Sequence, residues 1–366
     1  MNILISGWYG FGNTGDELLL DIFLSKYGVK HNIKVLTQGS IDPKRVPSIY
    51  HNDFFRFDSG GIKQWLTGNP LKLIFEIFKS DVFVLGGGGI IREAGNFQNL
   101  RRLLDEIWLA KVLGKKVFIY GVSIGPIASS KGKNLVRKSL KRCDFITVRD
   151  MRSLLYLQEF DIDKSKYSLC PDPAFIKLTN SKTIGDPFLR KTINVEKKIP
   201  IFLSLGLIDD GRDFSSLDSL ARVLDKLSII KKLSFIAIPF RITSDSSVDD
   251  IFVAHELHHR LVNKSCLSSK WVLAVRLHSM ILSIANNTPF VAINYDTKVR
   301  DTAILANLDN LVVDLDNEFE KNLLNKILNL EGDLEKVRAE VTSSAKILSE
   351  NAKNIFTAFD RLTVIR

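Results

Sequence analysis

The feature that most restricts this chain is a repeated unit: a short apolar run, a glycine-rich or charged turn, then residues at helical spacing. Ile3-Leu4-Ile5, Ile33-Lys34-Val35-Leu36, Val82-Phe83-Val84-Leu85, Val117-Phe118-Ile119-Tyr120 and Phe145-Ile146-Thr147-Val148 read as strands. Runs this apolar are covered on both faces, as in a parallel sheet. Residues 18–26 and 100–113 have helical spacing between them, so the expected class is doubly wound α/β. Residues 179–200 break the rhythm: they are polar and basic and are interrupted by Gly185, Pro187 and Pro200. The rhythm resumes at 201–205, 233–238, 271–275, 290–293 and 311–313. The expected organisation is an N-terminal α/β domain over 1–178, a linker over 179–200, a C-terminal α/β domain over 201–332 and a helical segment over 333–366. The two doubly wound, Rossmann-like domains are expected to face a cleft, with chemistry beyond the carboxyl ends of the strands.

Composition narrows the functional class. The 366 residues are 45% hydrophobic and 25% charged, which is globular usage. A formal charge of +10 favours anionic partners: nucleic acid, phosphorylated metabolites or anionic lipid. The three cysteines, Cys143, Cys170 and Cys266, are odd in number and far apart, so neither a disulfide framework nor a cysteine zinc site is expected. The first residues lack the features of a signal peptide, and there is no uninterrupted apolar stretch of about 18 residues. A soluble, cytoplasmic enzyme is the expectation.

Three glycine-bearing turns follow strands in the first half. Gly10, Gly12 and Gly15 in Gly7-Trp8-Tyr9-Gly10-Phe11-Gly12-Asn13-Thr14-Gly15-Asp16-Glu17 match GxGxxG. The loop is longer than a dinucleotide turn, however, and no acidic residue ends the second strand to hold a ribose. What survives is a glycine-rich loop presenting N–H groups at a helix start, with Asp16 either capping the helix or doing chemistry. Gly86-Gly87-Gly88-Gly89 implies close backbone approach to a ligand or to a facing loop. Gly121-Val122-Ser123-Ile124-Gly125-Pro126 occupies the same topological place. Arg149 ends a strand as a fork for carboxylate or phosphate, and Asp172 sits in the turn Pro171-Asp172-Pro173.

In the second half, Arg276-Leu277-His278 stands at a strand-to-helix junction, with both polar side chains free to face a cleft. Lys298 follows the next strand. His255-Glu256-Leu257-His258-His259 satisfies the letters of a HExxH zinc motif, but its flanks are basic and no third ligand is evident, so a solvated helix face is expected.

Taken in order, Gly7–Glu17, Gly86–Gly89, Gly125-Pro126, Val148-Arg149-Asp150, Pro171-Asp172-Pro173, Arg276-Leu277-His278 and Tyr295-Asp296-Thr297-Lys298 resemble the polysaccharide pyruvyl transferase family. The resemblance implies a glycosyltransferase-B-like fold and transfer of a pyruvyl group from phosphoenolpyruvate to a saccharide, giving a cyclic ketal in cell-surface or exopolysaccharide biosynthesis. It implies no cofactor beyond phosphoenolpyruvate as donor, no metal and no nucleic acid. The saccharide acceptor in this class is commonly carried on lipid, which places the enzyme at the inner face of the cytoplasmic membrane. In that frame His278 and Asp16 are the catalytic candidates. Arg276, Arg149 and Lys298 are the donor cations, and Gly12, Asn13, Gly15, Gly87 and Gly88 are further substrate-binding candidates. Where members often carry an arginine after the first strand of the second domain, this chain reads Leu205-Gly206-Leu207. Two rival classes are a nucleotide-sugar glycosyltransferase of the same architecture and an inactive glycan-assembly binding protein. Finally, residues 63–79 combine Trp65, Leu66, Leu71, Leu73, Ile74, Phe75, Ile77 and Phe78 with Lys63, Lys72 and Lys79, either as a core helix or as a membrane-facing one.

Overall fold

The computed structural model describes residues 1–50, 70–93, 97–176, 201–205, 215–230, 235–239 and 271–364. The expected linker over 179–200, His255, His258, His259 and Cys266 lie outside these residues. The chain divides into unit 1 (1–173 and 350–366) and unit 2 (174–349). The terminal segment expected over 333–366 is therefore shared between the two units.

In unit 1, the strands are β1 (Asn2–Ser6), β2 (Asn32–Thr37), β3 (Ser48–Tyr50), β4 (Val82–Ile91), β5 (Lys116–Ile124), β6 (Phe145–Val148) and β7 (Tyr167–Leu169). They form one parallel sheet in the order β3-β2-β1-β4-β5-β6-β7. Between them run α1 (Thr14–Tyr27), α2 (Pro70–Lys79), α3 (Phe97–Val112), α4 (Ser130–Arg142) and α5 (Met151–Glu159). The strand order reverses between β1 and β4, which makes that pair the topological switch point of the sheet. Helix α1 starts where the chain permits it to start: Asn13 caps it by accepting from the Gly15 N–H at 3.1 Å, and Asp16 and Glu17 meet the positive end of the helix.

Strands β4 and β5 run further than their apolar cores suggest. Both continue through the glycines that the sequence assigns to turns, with Gly86 paired to Tyr120 and Gly88 to Val122. The reason is conformational. Gly87, Gly88 and Gly121 have φ of +80°, +92° and +56°, which lets the pairing persist past a register shift that a side chain would prevent.

Unit 2 repeats the plan with β8 (Ile201–Leu205), β9 (Phe235–Pro239), β10 (Val272–Ala274), β11 (Phe290–Asn294) and β12 (Val312–Asp314). They are parallel in the order β12-β11-β10-β8-β9. The helices are α6 (Ser215–Ile230), α7 (Leu277–Ala285), α8 (Thr297–Leu305), α9 (Phe319–Gly332) and α10 (Leu334–Ala352), the last of which ends just inside unit 1. Here the order reverses between β8 and β10. Helix α11 (Asn354–Val364) belongs to unit 1 and packs on β5 and β6. Phe359 lies edge-on to Phe23 and Phe118 at 5.5 and 5.2 Å between ring centroids, and Tyr27 Oη donates to Asp360 Oδ1 at 2.9 Å.

Cys143 and Cys170 are buried free thiols. Among the described residues, no helix is long and apolar enough to cross a membrane, and no group of His, Cys, Asp and Glu is gathered for a metal ion.

Candidate functional site

In unit 1 the carboxyl edge of the sheet gathers the residues expected there, but most of them face their own chain. Gly88, Val122 and Val148 stand level on β4, β5 and β6, and Arg149 follows directly. Arg149 is buried. Its Nε donates to Ser123 Oγ at 2.8 Å and its Nη1 to Asp172 Oδ2. Burial opposes its charge, but Asp172, Asp150 and Asp16 outweigh that and hold the guanidinium above its ordinary pKa. The expected donor cation is thus already matched by carboxylates, and Asp172 is its ionic partner as well as a turn residue. Asp150 caps α5 by accepting from Ser153 N at 2.8 Å.

Asp16 is not the helix cap, because Asn13 already does that; it is a buried first-turn carboxylate. Its Oδ1 lies 2.3 Å from where a Cβ on Gly88 would stand, so glycine at 88 makes room for a carboxylate of the same chain. The other glycines resolve similarly. A Cβ on Gly87 would meet the Tyr9 hydroxyl at 2.9 Å. Tyr9 itself is fully buried and donates to the Gly86 carbonyl. Gly10 packs on the backbone of Gly39 and Ser40, with Ser40 N donating to Gly10 O at 2.9 Å. Asn13 and Gly15 serve the helix cap, and Gly87 serves the packing of Tyr9. Gly12 differs: it is solvent-exposed at φ +72°, beside the stacked rings of Trp8 and Phe11 at 4.4 Å.

In unit 2 the arrangement is more open. Arg276 precedes α7 in extended conformation and makes no side-chain cap bond, while His278 is the second residue of the helix. Both are half-buried on either side of the buried Leu277. They follow β10, the strand across the switch point from β8, where the first turn of α7 also presents backbone N–H groups. Lys298 follows the neighbouring strand β11. Its Nζ lies 2.9 Å from Asp296 Oδ2 and 5.4 Å from the centroid of the Tyr295 ring. Burial raises the Asp296 carboxyl, but Lys298, through its charge and hydrogen bonds, leads the effects that hold it below its ordinary value. Lys298 is a partnered cation beside the pair Arg276–His278. A polar groove along Asp314, Asp316, Asn325, Lys326 and Asn329 contains none of these residues.

Two residues that matter to this edge were assigned no role from sequence: Ser123 as a partner of Arg149, and Glu106. Glu106 accepts from Ser6 Oγ at 2.5 Å and from Arg102 Nη1 at 3.1 Å beneath the end of β1, all of them buried. The available signal for Glu106 was its place between Arg102 and Ala110 on the apolar side of α3.

Comparison with known proteins agrees with this architecture. Over the whole of both chains, the structure resembles that of Anabaena HepE in complex with UDP and glucose, with a TM-score of 0.62 at 12% identity. It also resembles WaaG, a glycosyltransferase involved in lipopolysaccharide biosynthesis, at TM-score 0.53 and 12% identity over 99% of this chain and 100% of that one. A UDP-GlcNAc 2-epimerase from Neisseria meningitidis bound to UDP-GlcNAc gives 0.60 at 10% identity over 99% and 100%. At such identities the likeness is one of fold, the Rossmann-like glycosyltransferase-B type. No curated protein sequence matches significantly. The family model described as polysaccharide pyruvyl transferase matches residues 13–297, a span that runs from the α1 cap through Arg276-Leu277-His278 to the start of α8; the chain therefore belongs to the polysaccharide pyruvyl transferase family.

Proposed function

We propose that the protein transfers the pyruvyl group of phosphoenolpyruvate to a saccharide and forms a pyruvate ketal in the assembly of a cell-surface or exported polysaccharide. The observation that carries this reading is the position of Arg276 and His278: one cation and one imidazole, half-buried at a helix N-terminus beside the switch point of unit 2. That supports binding of a small dianionic donor next to a group able to exchange protons near neutral pH.

Arg276 takes the donor phosphate or carboxylate as a fork, and Lys298 supplements it with a charge partly matched by Asp296. The donor methylene gains one proton to become a methyl group, and the adjacent carbon becomes oxocarbenium-like. One acceptor hydroxyl adds to that carbon, a second hydroxyl closes the ring and the C–O bond to phosphate breaks. Two hydroxyl protons are released; one balances the methyl proton and the other leaves with phosphate. We assign proton exchange to His278. Asp16, buried and one of three carboxylates that set the charge of Arg149, is left out of the proton path. No metal or cofactor enters the scheme.

The test is acceptor-dependent release of inorganic phosphate from phosphoenolpyruvate. His278→Gln is expected to lower turnover by about 10²–10⁴-fold with little change in donor affinity. Arg276→Ala is expected to abolish donor binding by calorimetry in a folded protein. Release of UDP from a nucleotide sugar, with none of phosphate from phosphoenolpyruvate, would establish the glycosyltransferase reading instead. Neither activity, with saccharide binding retained, would establish an inactive glycan-assembly protein.

A further inference from the structure

The sheet of unit 1 is covered on one face by α2, α3 and α4, which pack side by side. Helix α2 turns Leu73 and Ile77 into the core, as a helix before β4 must. Its other face is not polar. Leu71, Phe75 and Phe78 recur at i, i+4 and i+7 and are 73%, 50% and 61% exposed. Trp108 and Val112 of α3 are exposed as well, four residues apart on one side of that helix. The two helices approach each other where they end: Lys115 Nζ, just past α3, donates to the Phe78 carbonyl at 2.5 Å and stands 5.1 Å from the Phe78 ring. Lys79 Nζ lies 4.0 Å over the Phe75 ring. Exposed aromatic and aliphatic side chains beside lysine stems form an interfacial pattern, with apolar bodies facing one way and ammonium heads at their rim.

Helix α4 settles the sign of the partner. Its thirteen residues, SKGKNLVRKSLKR, hold Lys131, Lys133, Arg137, Lys138, Lys141 and Arg142 and no acidic residue. Lys133 pairs with Glu159, and Lys141 and Arg137 share Asp161, all at the surface. Such pairs contribute little and leave the helix strongly basic. Two copies of so basic a surface repel each other, which argues against an isologous dimer through this face. A polyanion without an apolar phase would leave Leu71, Phe75 and Phe78 in water.

We propose that the outer faces of α2 and α3, flanked by the basic α4, dock the protein on an anionic lipid bilayer. These helices run antiparallel to the strands, so Phe75, Phe78 and Val112 lie toward the amino ends of the sheet. The carboxyl edge, where Arg149 follows β6, lies at the other end of the strands from these side chains. The docking does not depend on the donor, so it stands or falls separately from the reaction.

Sedimentation with vesicles of phosphatidylcholine alone, or with phosphatidylglycerol added, tests this in the absence of phosphoenolpyruvate and saccharide. Binding is expected only to the anionic vesicles and is expected to weaken as salt is raised. Phe75→Asp/Phe78→Asp, at exposed positions, is expected to reduce partitioning by about tenfold or more with an unchanged circular dichroism spectrum. Lys138→Glu/Arg142→Glu is expected to weaken binding chiefly at low salt. Vesicle binding that is unchanged in both double variants would overturn the proposal. So would a wild-type dimer that the Phe75/Phe78 variant converts to monomer in sedimentation velocity, since the face would then join two copies of this chain.

Discussion

Replacing Asp172 by Asn removes the nearest counter-charge of a guanidinium that water does not reach. The Arg149 and Asp172 side chains are 5% and 3% exposed, so solvent cannot take the place of the lost charge. An exposed pair would be worth about 0–1 kcal/mol, whereas removing one member of a buried pair costs about 3–5 kcal/mol. Three features place this substitution at the low end of that range. Asp150 and Asp16 continue to act on the guanidinium, Ser123 still accepts from Nε, and asparagine retains an oxygen toward Nη1. The expected loss is about 3 kcal/mol. Because the chain has two units, the suitable assay is native-state hydrogen exchange of the amides of β5 and β6, which reports on unit 1 without a two-state assumption for the whole. The loss appears there as roughly 100-fold faster exchange of the most protected amides. Arg149→Met/Asp172→Leu removes both charges and is expected to recover most of the protection. The reasoning fails if Asp172→Asn costs no more than about 0.5 kcal/mol, the usual size of a surface change. It fails equally if the uncharged pair is no better than the single variant.

Three further outcomes concern unit 1. Gly88→Ala sets a Cβ against the Asp16 carboxylate at a φ of +92° and is expected to destabilise unit 1 by about 2 kcal/mol or more; urea unfolding with wild-type stability would refute the close approach. Asn13→Ala removes the α1 cap and is expected to cost about 1 kcal/mol while leaving donor affinity in calorimetry unchanged; a lost affinity would return Asn13 to the substrate. Burial first, then nearby carboxylates, raise the hydroxyl of Tyr9, and burial likewise leads for Tyr27 and Tyr120. A raised folded value means stability that is full below the unfolded pKa of about 10 and is lost as pH climbs above it, so tyrosinate absorbance from these three residues is expected to rise together with unfolding rather than before it.

The alternation of apolar runs with helical spacing made the inner strands of unit 1 and the strands of unit 2 legible, because strands covered on two faces read as apolar runs, whereas the short edge strands β3 and β7 carry no such run. The same logic misjudged β4 and β5: a run of glycines carries no apolar signal, yet Gly86 and Gly88 remain paired to Tyr120 and Val122. The motif residues were legible as a set. Their partnerships were not. Arg149 has Asp150 beside it in sequence, but Asp150 turns to cap α5, and the ionic partner is Asp172 on the far side of β7. Strand order makes that pairing, and order is a property of the folded sheet. Asn13 and Gly87 were read toward a ligand, and the contacts they make within the chain, a helix cap and the packing of Tyr9, could not be read from a loop sequence. Arg276 and His278 stand at the strand-to-helix junction where their place in the sequence put them, half-buried beside a switch point.

The return of α11 to unit 1 has a consequence for biosynthesis. Unit 2 is encoded by one continuous stretch, whereas one face of unit 1 is covered by Phe359 and Asp360 of α11, which are translated after all of unit 2. At roughly 5–20 residues per second, the nascent N-terminal sheet waits on the order of tens of seconds with Phe23, Tyr27 and Phe118 uncovered. During that interval this aromatic face is a natural handle for a chaperone. A ribosome stalled anywhere within unit 2 would leave a nascent chain whose first domain cannot bury it.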